Sequence, residues 1–292
     1  MQSGNSIGGS ISQDGRIVVA QNYKPGGIKA FDAGSLELLA DVPAEYAPGR
    51  LCKVVGLADL PGNKFAYALF DGDEIWVSDF SDPKKPVTQR YPAGHQPYDG
   101  LVTPDGRYYL AGLFGEDGVA LLDIWQPEKG VRKILEHYGR GEEKLPVFKM
   151  PHLRGWSVAA GRVWLPAVGR HEVLVVDAQT WKETARVPVK GQPVFVMASP
   201  DSRQIWVNFA FPDNGWVQVI DTLSGRVVKT MQPGKAVLHM EFTPRGEQVW
   251  ISARDDNTVS IHDTRSFEHM GTLPANAPSG IFFTNRAGRI GF

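Results

Sequence analysis

Residue types that bind anions or metal ions gather in one short loop of this chain. Lys149, His152 and Arg154 lie within six residues, in a segment interrupted by prolines. The residues that follow, up to Arg170, read as two short alternating strands. A rigid scaffold holds geometry while its loops carry binding and catalytic residues. The loop therefore predicts an anion site or a metal-ligand site, and on its own it does not distinguish the two.

The spacing of the seven histidines does not indicate a metal centre. No pair has the HExxH or HxH spacing, and the single cysteine, Cys52, cannot build a zinc site. We expect His262 and His269 to be structural, because both lie in predicted strands. His152 and His239 are better candidates, since each lies close to a strand that would line a central channel, but a structural role fits them equally well. No metal ligand is predicted in this chain.

Cationic residues precede several of the predicted innermost strands. They are Arg50, Lys53, Lys149, Arg154, Arg170 and Lys235. One interpretation is that they are solvated loop charges, as most lysines and arginines are. The other is that they surround one end of a channel and bind ligand carboxylates, with arginine making two-point contacts. The sequence leaves both interpretations open and leans towards the first.

The aromatic residues fall into two groups. Those near predicted strand ends are placed to enclose a flat ligand: Tyr23, Tyr98, Phe114, Phe195 and Phe209. Tryptophans inside apolar strands are predicted to form the core between neighbouring sheets: Trp76, Trp164, Trp206 and Trp250.

Composition and motifs exclude several classes of function. The 31 basic residues balance 32 acidic ones, so no nucleic-acid or anionic-membrane partner is indicated. No run of 18 apolar residues predicts a transmembrane helix, and no signal peptide is visible at the start. GxSxG, a helix-opening GxGxxG, a P-loop and a plausible Cys–His pair are absent. The carboxylate pairs Asp71/Asp73 and Asp255/Asp256 are predicted to lie in hairpin turns.

An internal repeat predicts the fold. Short apolar strands end in an aspartate at intervals of 47, 44, 54, 44 and 42 residues, at Asp32, Asp79, Asp123, Asp177, Asp221 and Asp263. Turn motifs such as SQDGR, TPDGR and SPDSR precede them. A period of about 40 to 50 residues with four strands per unit is typical of a β-propeller. We therefore predict an all-β, single-domain β-propeller over residues 1–292, with about six and a half blades in this chain.

Long strings of the chain resemble the NirF family of heme d1 biosynthesis proteins, and the resemblance covers almost all of it. They are GNSIGGSISQDGR, ALFDGDEIWVSDF, QPYDGLVTPDGRYYLAGLFGEDG, KLPVFKMPHLRGW, GQPVFVMASPDSRQIWVNFAFPDN, VLHMEFTPRGEQVWIS and APSGIFFTNRAG. This family is similar in turn to NirN and to the heme d1 domain of cytochrome cd1 nitrite reductase, which are eight-bladed propellers. The resemblance implies that about two N-terminal blades and an export signal precede Gly4.

The resemblance also implies a ligand, a compartment and partners. The ligand would be heme d1 or its dihydro precursor, lying flat in the channel with its carboxylates held by basic and polar side chains. The protein would be periplasmic, with NirN and cytochrome cd1 nitrite reductase as partners and membrane attachment only through an N-terminal lipid anchor. Homodimer formation stays open.

Site residues are carried over only where motifs match. Tyr98 stands where the reductase has a distal histidine, and 58–61 holds no histidine where the reductase has its other one, so nitrite reduction is not expected. The segment 150–155 implies that His152 and Arg154 line the pocket, and the axial histidine would lie upstream of Met1. The predicted ligand-binding residues are Tyr23, Arg50, Lys53, Tyr98, Lys149, His152, Arg154, Arg170, Phe195 and His239.

Three functions are considered. The first is binding of a late heme d1 precursor, dihydro-heme d1, for maturation or handover. The second is catalysis of a late modification of the macrocycle, for which the candidates are Tyr98, Asp99, His152 and His239. The third is a ligand-free propeller that binds other proteins.

Overall fold

The computed structural model describes residues 4–136, 157–167 and 169–281. Within these ranges the regular structure consists of 26 β-strands and two short 3-10 helices, Pro127–Lys129 and Arg254–Asp256. The strands form six four-stranded antiparallel sheets and one two-stranded hairpin. The all-β prediction is confirmed.

The chain divides into two units, which we describe separately. The first unit holds sheets 1 to 3. Sheet 1 contains β1 (Asn5–Ile11), β2 (Ile17–Lys24), β3 (Ile28–Asp32) and β4 (Leu38–Val42). A hairpin follows, formed by β5 (Glu45–Ala47) and β6 (Arg50–Leu51). Sheet 2 contains β7 (Val54–Leu60), β8 (Lys64–Leu69), β9 (Glu74–Asp79) and β10 (Val87–Pro92). Sheet 3 contains β11 (Pro97–Val102), β12 (Tyr108–Leu113), β13 (Val119–Asp123) and β14 (Val131–Ile134).

The second unit holds sheets 4 to 6. Sheet 4 contains β15 (Ser157–Ala159), β16 (Arg162–Ala167), β17 (Glu172–Asp177) and β18 (Glu183–Pro188). Sheet 5 contains β19 (Pro193–Ala198), β20 (Gln204–Phe209), β21 (Val217–Asp221) and β22 (Arg226–Met231). Sheet 6 contains β23 (Val237–Phe242), β24 (Gln248–Ala253), β25 (Thr258–Asp263) and β26 (His269–Pro274). Most of the tail expected to begin a further blade lies outside the described residues.

The repeated turn motif works in the same way in sheets 1, 3 and 5. In the turn between the first two strands, a hydroxyl group donates to the aspartate two residues later, with Oγ–Oδ1 distances of 2.6, 2.5 and 2.6 Å. The same hydroxyl accepts the backbone N–H that opens the second strand, at 3.0 Å in each sheet. The hydroxyl residues are Ser12, Thr103 and Ser199. The SQDGR, TPDGR and SPDSR strings therefore specify each hairpin locally.

The aspartates that end each third strand fasten the next turn. The carboxylates of Asp32, Asp177 and Asp221 accept backbone N–H groups three residues later at 2.7–2.8 Å. These hydrogen bonds lower the pKa of each of the three carboxyl groups. The regular spacing of aspartates in the sequence thus reflects a turn requirement rather than a binding site.

Apolar side chains between neighbouring sheets form the core. Trp76, Trp164 and Trp206 are fully buried, as predicted. Trp250 is half-buried, so it is less enclosed than these three, and it donates from Nε1 to Gln248 at 3.3 Å. Phe209 is buried in the core of sheets 4 and 5, where it cannot contact a ligand as we had expected. Dense packing of this kind leaves ligand contacts to the strand ends.

Candidate functional site

We call one end of each sheet its upper edge. It is the end at which the first strand begins and the second strand ends, and it is not an edge strand. In an antiparallel meander these two positions are adjacent, so residues from different loops meet there. In the first unit the upper edges of sheets 1 to 3 carry Tyr23, Lys53, Tyr98 and Phe114. These four residues are among those predicted to contact a ligand.

Four half-buried aromatic side chains come together at this edge, and we call them the aromatic cluster: Tyr23, Phe70, Tyr98 and Phe114. The Phe70 ring lies 5.6 Å from the Tyr98 ring, edge to face, and 5.7 Å from the Phe114 ring. The rings of Tyr98 and Phe114 are 6.3 Å apart. These separations are typical of favourable aromatic pairs.

A hydrogen bond joins the Tyr23 and Tyr98 hydroxyl groups across the cluster. Tyr23 belongs to sheet 1 and Tyr98 to sheet 3, so the bond spans the sheet between them. Burial, followed by the Tyr23 hydrogen bond, raises the pKa of Tyr98 above its ordinary value.

Lys53 supplies a cation beside the cluster. Its Nζ lies 4.4 Å from the centre of the Phe70 ring and 3.7 Å from Asp71 Oδ1. Arg50 is directed elsewhere, since its guanidinium stacks on Tyr46 of the hairpin at 5.1 Å. Of the two predicted cations, only Lys53 contacts the aromatic cluster.

Asp99 follows Tyr98 on β11 and is buried, with 7% of its surface exposed. Its Oδ2 accepts no hydrogen bond from the part of the chain that the structure describes. Burial raises the pKa of this carboxyl group well above its ordinary value. Burial therefore disfavours the charged form of the carboxyl group that follows Tyr98 in the chain.

Close packing against sheet 2 fixes the backbone around Asp99. The Tyr109 hydroxyl donates to the Gly56 carbonyl at 2.7 Å. A Cβ atom at Gly100 would overlap the Tyr109 ring, and one at Gly56 would lie 2.7 Å from the Tyr98 carbonyl. Both glycines are therefore needed for β7 and β11 to approach each other here.

In the second unit the structure pairs Phe195 with His239. Their rings lie 5.2 Å apart, edge to face. His239 is buried, and its Nδ1 accepts the backbone N–H of Ile281 at 3.2 Å. This contact places the proton of the neutral imidazole on Nε2. Arg170 lies exposed in the turn after β16, where its N–H donates to Ala167 at 2.9 Å.

Three predicted site residues, Lys149, His152 and Arg154, lie outside the described residues, so their roles stay predictions. Among the residues that are described, no group of three His, Cys, Asp or Glu side chains is arranged to hold a metal ion. No helix in the described part is long and apolar enough to cross a membrane.

Sequence reasoning missed Phe70. It follows β8, as Phe114 follows β12, so alignment of the repeats would have placed both at the same position. Sequence reasoning also treated Asp73 only as a turn residue, whereas its carboxylate contacts the imidazole of His95.

Comparison with known proteins identifies the family to which the chain belongs. The chain belongs to the cytochrome D1 heme domain family, whose sequence model matches residues 1–287. Among individual relatives, Protein NirF of Pseudomonas aeruginosa is 58% identical over 294 residues, covering 100% of this chain and 75% of the relative. The resemblance to the NirF family is confirmed.

Solved structures support the same assignment. Dihydro-heme d1 dehydrogenase NirN in complex with DHE has a TM-score of 0.78 and 26% identity, covering 94% of this chain and 58% of that one. The β-propeller domain of Myceliophteria thermophila Cps50 (Swd1) has a TM-score of 0.62 and 16% identity, covering 96% of this chain and 88% of that one. The latter likeness concerns the fold alone. The β-propeller prediction is confirmed.

Proposed function

We propose that this protein acts in heme d1 biosynthesis and binds a late tetrapyrrole precursor, dihydro-heme d1, at the aromatic cluster. The observation that carries the proposal is the meeting of Tyr23, Phe70, Tyr98 and Phe114 from three sheets at one edge, with Lys53 beside them. The likeness to NirN, a dihydro-heme d1 dehydrogenase, supports this choice of ligand.

The residues fit the chemistry of such a ligand. A tetrapyrrole is flat and apolar on its faces and carries carboxylates at its edge. The half-buried aromatic rings would contact a face, and Lys53 would bind an edge carboxylate as a charge-assisted hydrogen bond worth about 1.5–3 kcal/mol. Arg154 and His152, which lie outside the described residues, are proposed to add contacts to the ligand.

A compartment and partners are part of the same proposal. The protein would work in the periplasm, in denitrifying cells, and exchange its ligand with NirN or cytochrome cd1 nitrite reductase. These points rest on the family, because no partner is present in the structure.

Catalysis of a late modification of the macrocycle is the second candidate. Its support is the buried carboxyl group of Asp99, whose pKa is raised by burial, beside the hydrogen-bonded pair of Tyr23 and Tyr98. Ionisable groups with strongly shifted pKa values are concentrated at functional sites, which makes Asp99 a candidate for proton transfer. A ligand-free interaction propeller, the third function, has no comparable observation in its favour.

The test is a titration of the protein with dihydro-heme d1, followed by the Soret band. Lys53→Met removes the charge and keeps most of the side chain, so we expect affinity to fall about 10-fold. Lys64→Met is the matched control, because Lys64 has the same side-chain exposure, 42%, and pairs with Asp79 at the opposite edge of sheet 2.

The outcomes are distinct. A saturable Soret shift that Lys53→Met weakens and Lys64→Met leaves unchanged supports the site. Absence of any shift with the unaltered protein contradicts binding and favours the interaction propeller. Equal affinities of the two variants and the unaltered protein contradict the role of Lys53.

A further inference from the structure

His95 lies in the loop before β11, three residues ahead of Tyr98, and contacts a carboxylate. Its Nδ1 is 3.3 Å from each carboxylate oxygen of Asp73. A carboxylate partner makes Nδ1 the donor, which leaves the lone pair on Nε2. More than half of the His95 side chain, 56%, is exposed.

Contacts from the loop after β12 hold the backbone of His95. The His95 N–H donates to Glu116 Oε1 at 2.7 Å, and the His95 carbonyl accepts from Gly115 at 3.1 Å. The ring lies directly against Gly115, where any Cβ atom would overlap it. Gly115 directly follows Phe114 of the aromatic cluster in the chain.

Two other acidic side chains near His95 each pair with a lysine. Glu116 pairs with Lys133 at 2.8 Å, and Asp71 pairs with Lys53 at 3.7 Å. The Asp73 carboxylate lies 3.3 Å from Nδ1 of His95. Asp73 is therefore the acidic group that can orient the imidazole.

Sheet 6 also has an aspartate between its second and third strands, and there it holds a loop in place. Asp256 Oδ2 accepts the N–H of Lys235 at 2.7 Å and so fastens the loop before β23. Asp73 Oδ1 does the same for Gln96 at 2.8 Å. The fastening role thus accounts for Asp73 as a turn residue, and the contact with His95 is additional.

We propose that His95 is an acid–base group for the tetrapyrrole held at the aromatic cluster, with Asp73 as its positioning residue. The proposal rests on the proposed function and favours a chemical role for the site. A proton passes from the ligand to Nε2 while the bonding electron pair stays on the ligand. Asp73 compensates the imidazolium, and Nε2 then returns the proton to the ligand or to water.

The test compares His95→Gln and Asp73→Asn with two matched controls. His269→Gln changes an exposed histidine on the outermost strand of sheet 6, and Asp256→Asn removes a loop-fastening carboxylate that has no histidine partner. Three quantities are measured: Tm, dihydro-heme d1 affinity from the Soret band, and the heme d1 content of a Pseudomonas aeruginosa strain that lacks its own NirF. His95→Asn repeats the test with a shorter amide against Gly115.

We expect both site variants to match their controls in Tm and to keep affinity within about threefold. Loss of a general acid–base group slows its step by about 100-fold or more, so heme d1 content should fall sharply with His95→Gln and partly with Asp73→Asn. If the role of His95 were only structural, the affinity and the heme d1 content would fall together.

Two results would overturn the inference. Heme d1 content equal to that of the controls would show that no proton transfer depends on His95. A loss of affinity large enough to explain the loss of heme d1 would make His95 a binding residue instead. Failure of the unaltered protein to bind the tetrapyrrole would contradict the proposed function itself, so the two failures are distinguishable.

Discussion

At the scale of single residues, the site depends on side chains that keep their protons. Asp99 is buried, and Tyr98 packs against the apolar core and is hydrogen-bonded to Tyr23. Desolvation disfavours the charged form of both, which raises the pKa of each. The Asp99 carboxyl group therefore keeps its proton to a higher pH than an exposed carboxyl group does, because its pKa is raised.

The buried carboxyl group predicts a pH dependence of stability. The pKa of Asp99 is about 3.9 in the unfolded chain and raised in the folded protein. Its contribution to stability is therefore full below that value and decreases as the pH rises towards the folded pKa, because only the unfolded chain releases the proton. Asp99→Asn cannot titrate, so its stability relative to the unaltered protein should increase by up to about 1.4 kcal/mol per pH unit.

Denaturant unfolding of both proteins between pH 4.5 and 7 measures this difference. Asp82→Asn, on the exposed loop after β9, controls for the loss of a carboxyl group as such. A stability difference between Asp99→Asn and the unaltered protein that stays constant with pH would show that Asp99 is ionised in the folded state.

At the scale of elements, the cluster exists because β7 and β11 approach closely. Tyr109 bonds to the Gly56 carbonyl, and Gly100 leaves room for its ring. Sheets 2 and 3 are thereby held together beneath Tyr98. The positions of the aromatic rings therefore depend on the packing of β7 against β11, as well as on contacts between the rings.

This packing makes Gly100 intolerant of a side chain. Gly100→Ala would force its Cβ atom into the Tyr109 ring, so we expect it to destabilise the protein by about 1–3 kcal/mol. Gly271→Ala on β26 is the control, since a Cβ atom there meets nothing within 4 Å. Thermal unfolding of the two variants checks the prediction, and equal Tm values would contradict the packing argument.

The elements were predictable from sequence to the extent that their determinants are local. Ser12, Thr103 and Ser199 build their turns from neighbouring residues, and Asp177 fastens a turn three residues away. The contact between Tyr23 and Tyr98 joins residues 75 positions apart, and no local pattern encodes it. Burial of Asp99 likewise results from the packing of two sheets, so neither feature could be read from the chain alone.

The predicted cations illustrate the same limit. Arg50 and Lys53 lie three residues apart, and sequence gave no reason to separate them. In the structure Lys53 contacts Phe70, whereas Arg50 stacks on Tyr46. The difference arises from the hairpin β5–β6, which turns Arg50 away from the cluster.

At the scale of the whole molecule, repetition provides the scaffold and departures from repetition provide the site. The hairpin turns and terminal aspartates recur in sheet after sheet, in each case at the end of the sheet opposite its own upper edge. The upper edges vary, and Phe70, His95, Tyr98 and Phe114 lie there. A propeller of the cytochrome D1 heme domain family can thus keep its framework while its ligand edge changes.

Hydrogen–deuterium exchange with and without dihydro-heme d1 tests the central claim most directly. Bound tetrapyrrole should slow exchange in peptides covering 66–73, 95–101 and 113–116, because these segments form the aromatic cluster and its supporting loops. Peptides covering the opposite edges, 103–107 and 199–203, should exchange at the same rate in both states. Protection confined to the opposite edges, or saturable binding without protection at the cluster, would contradict the account.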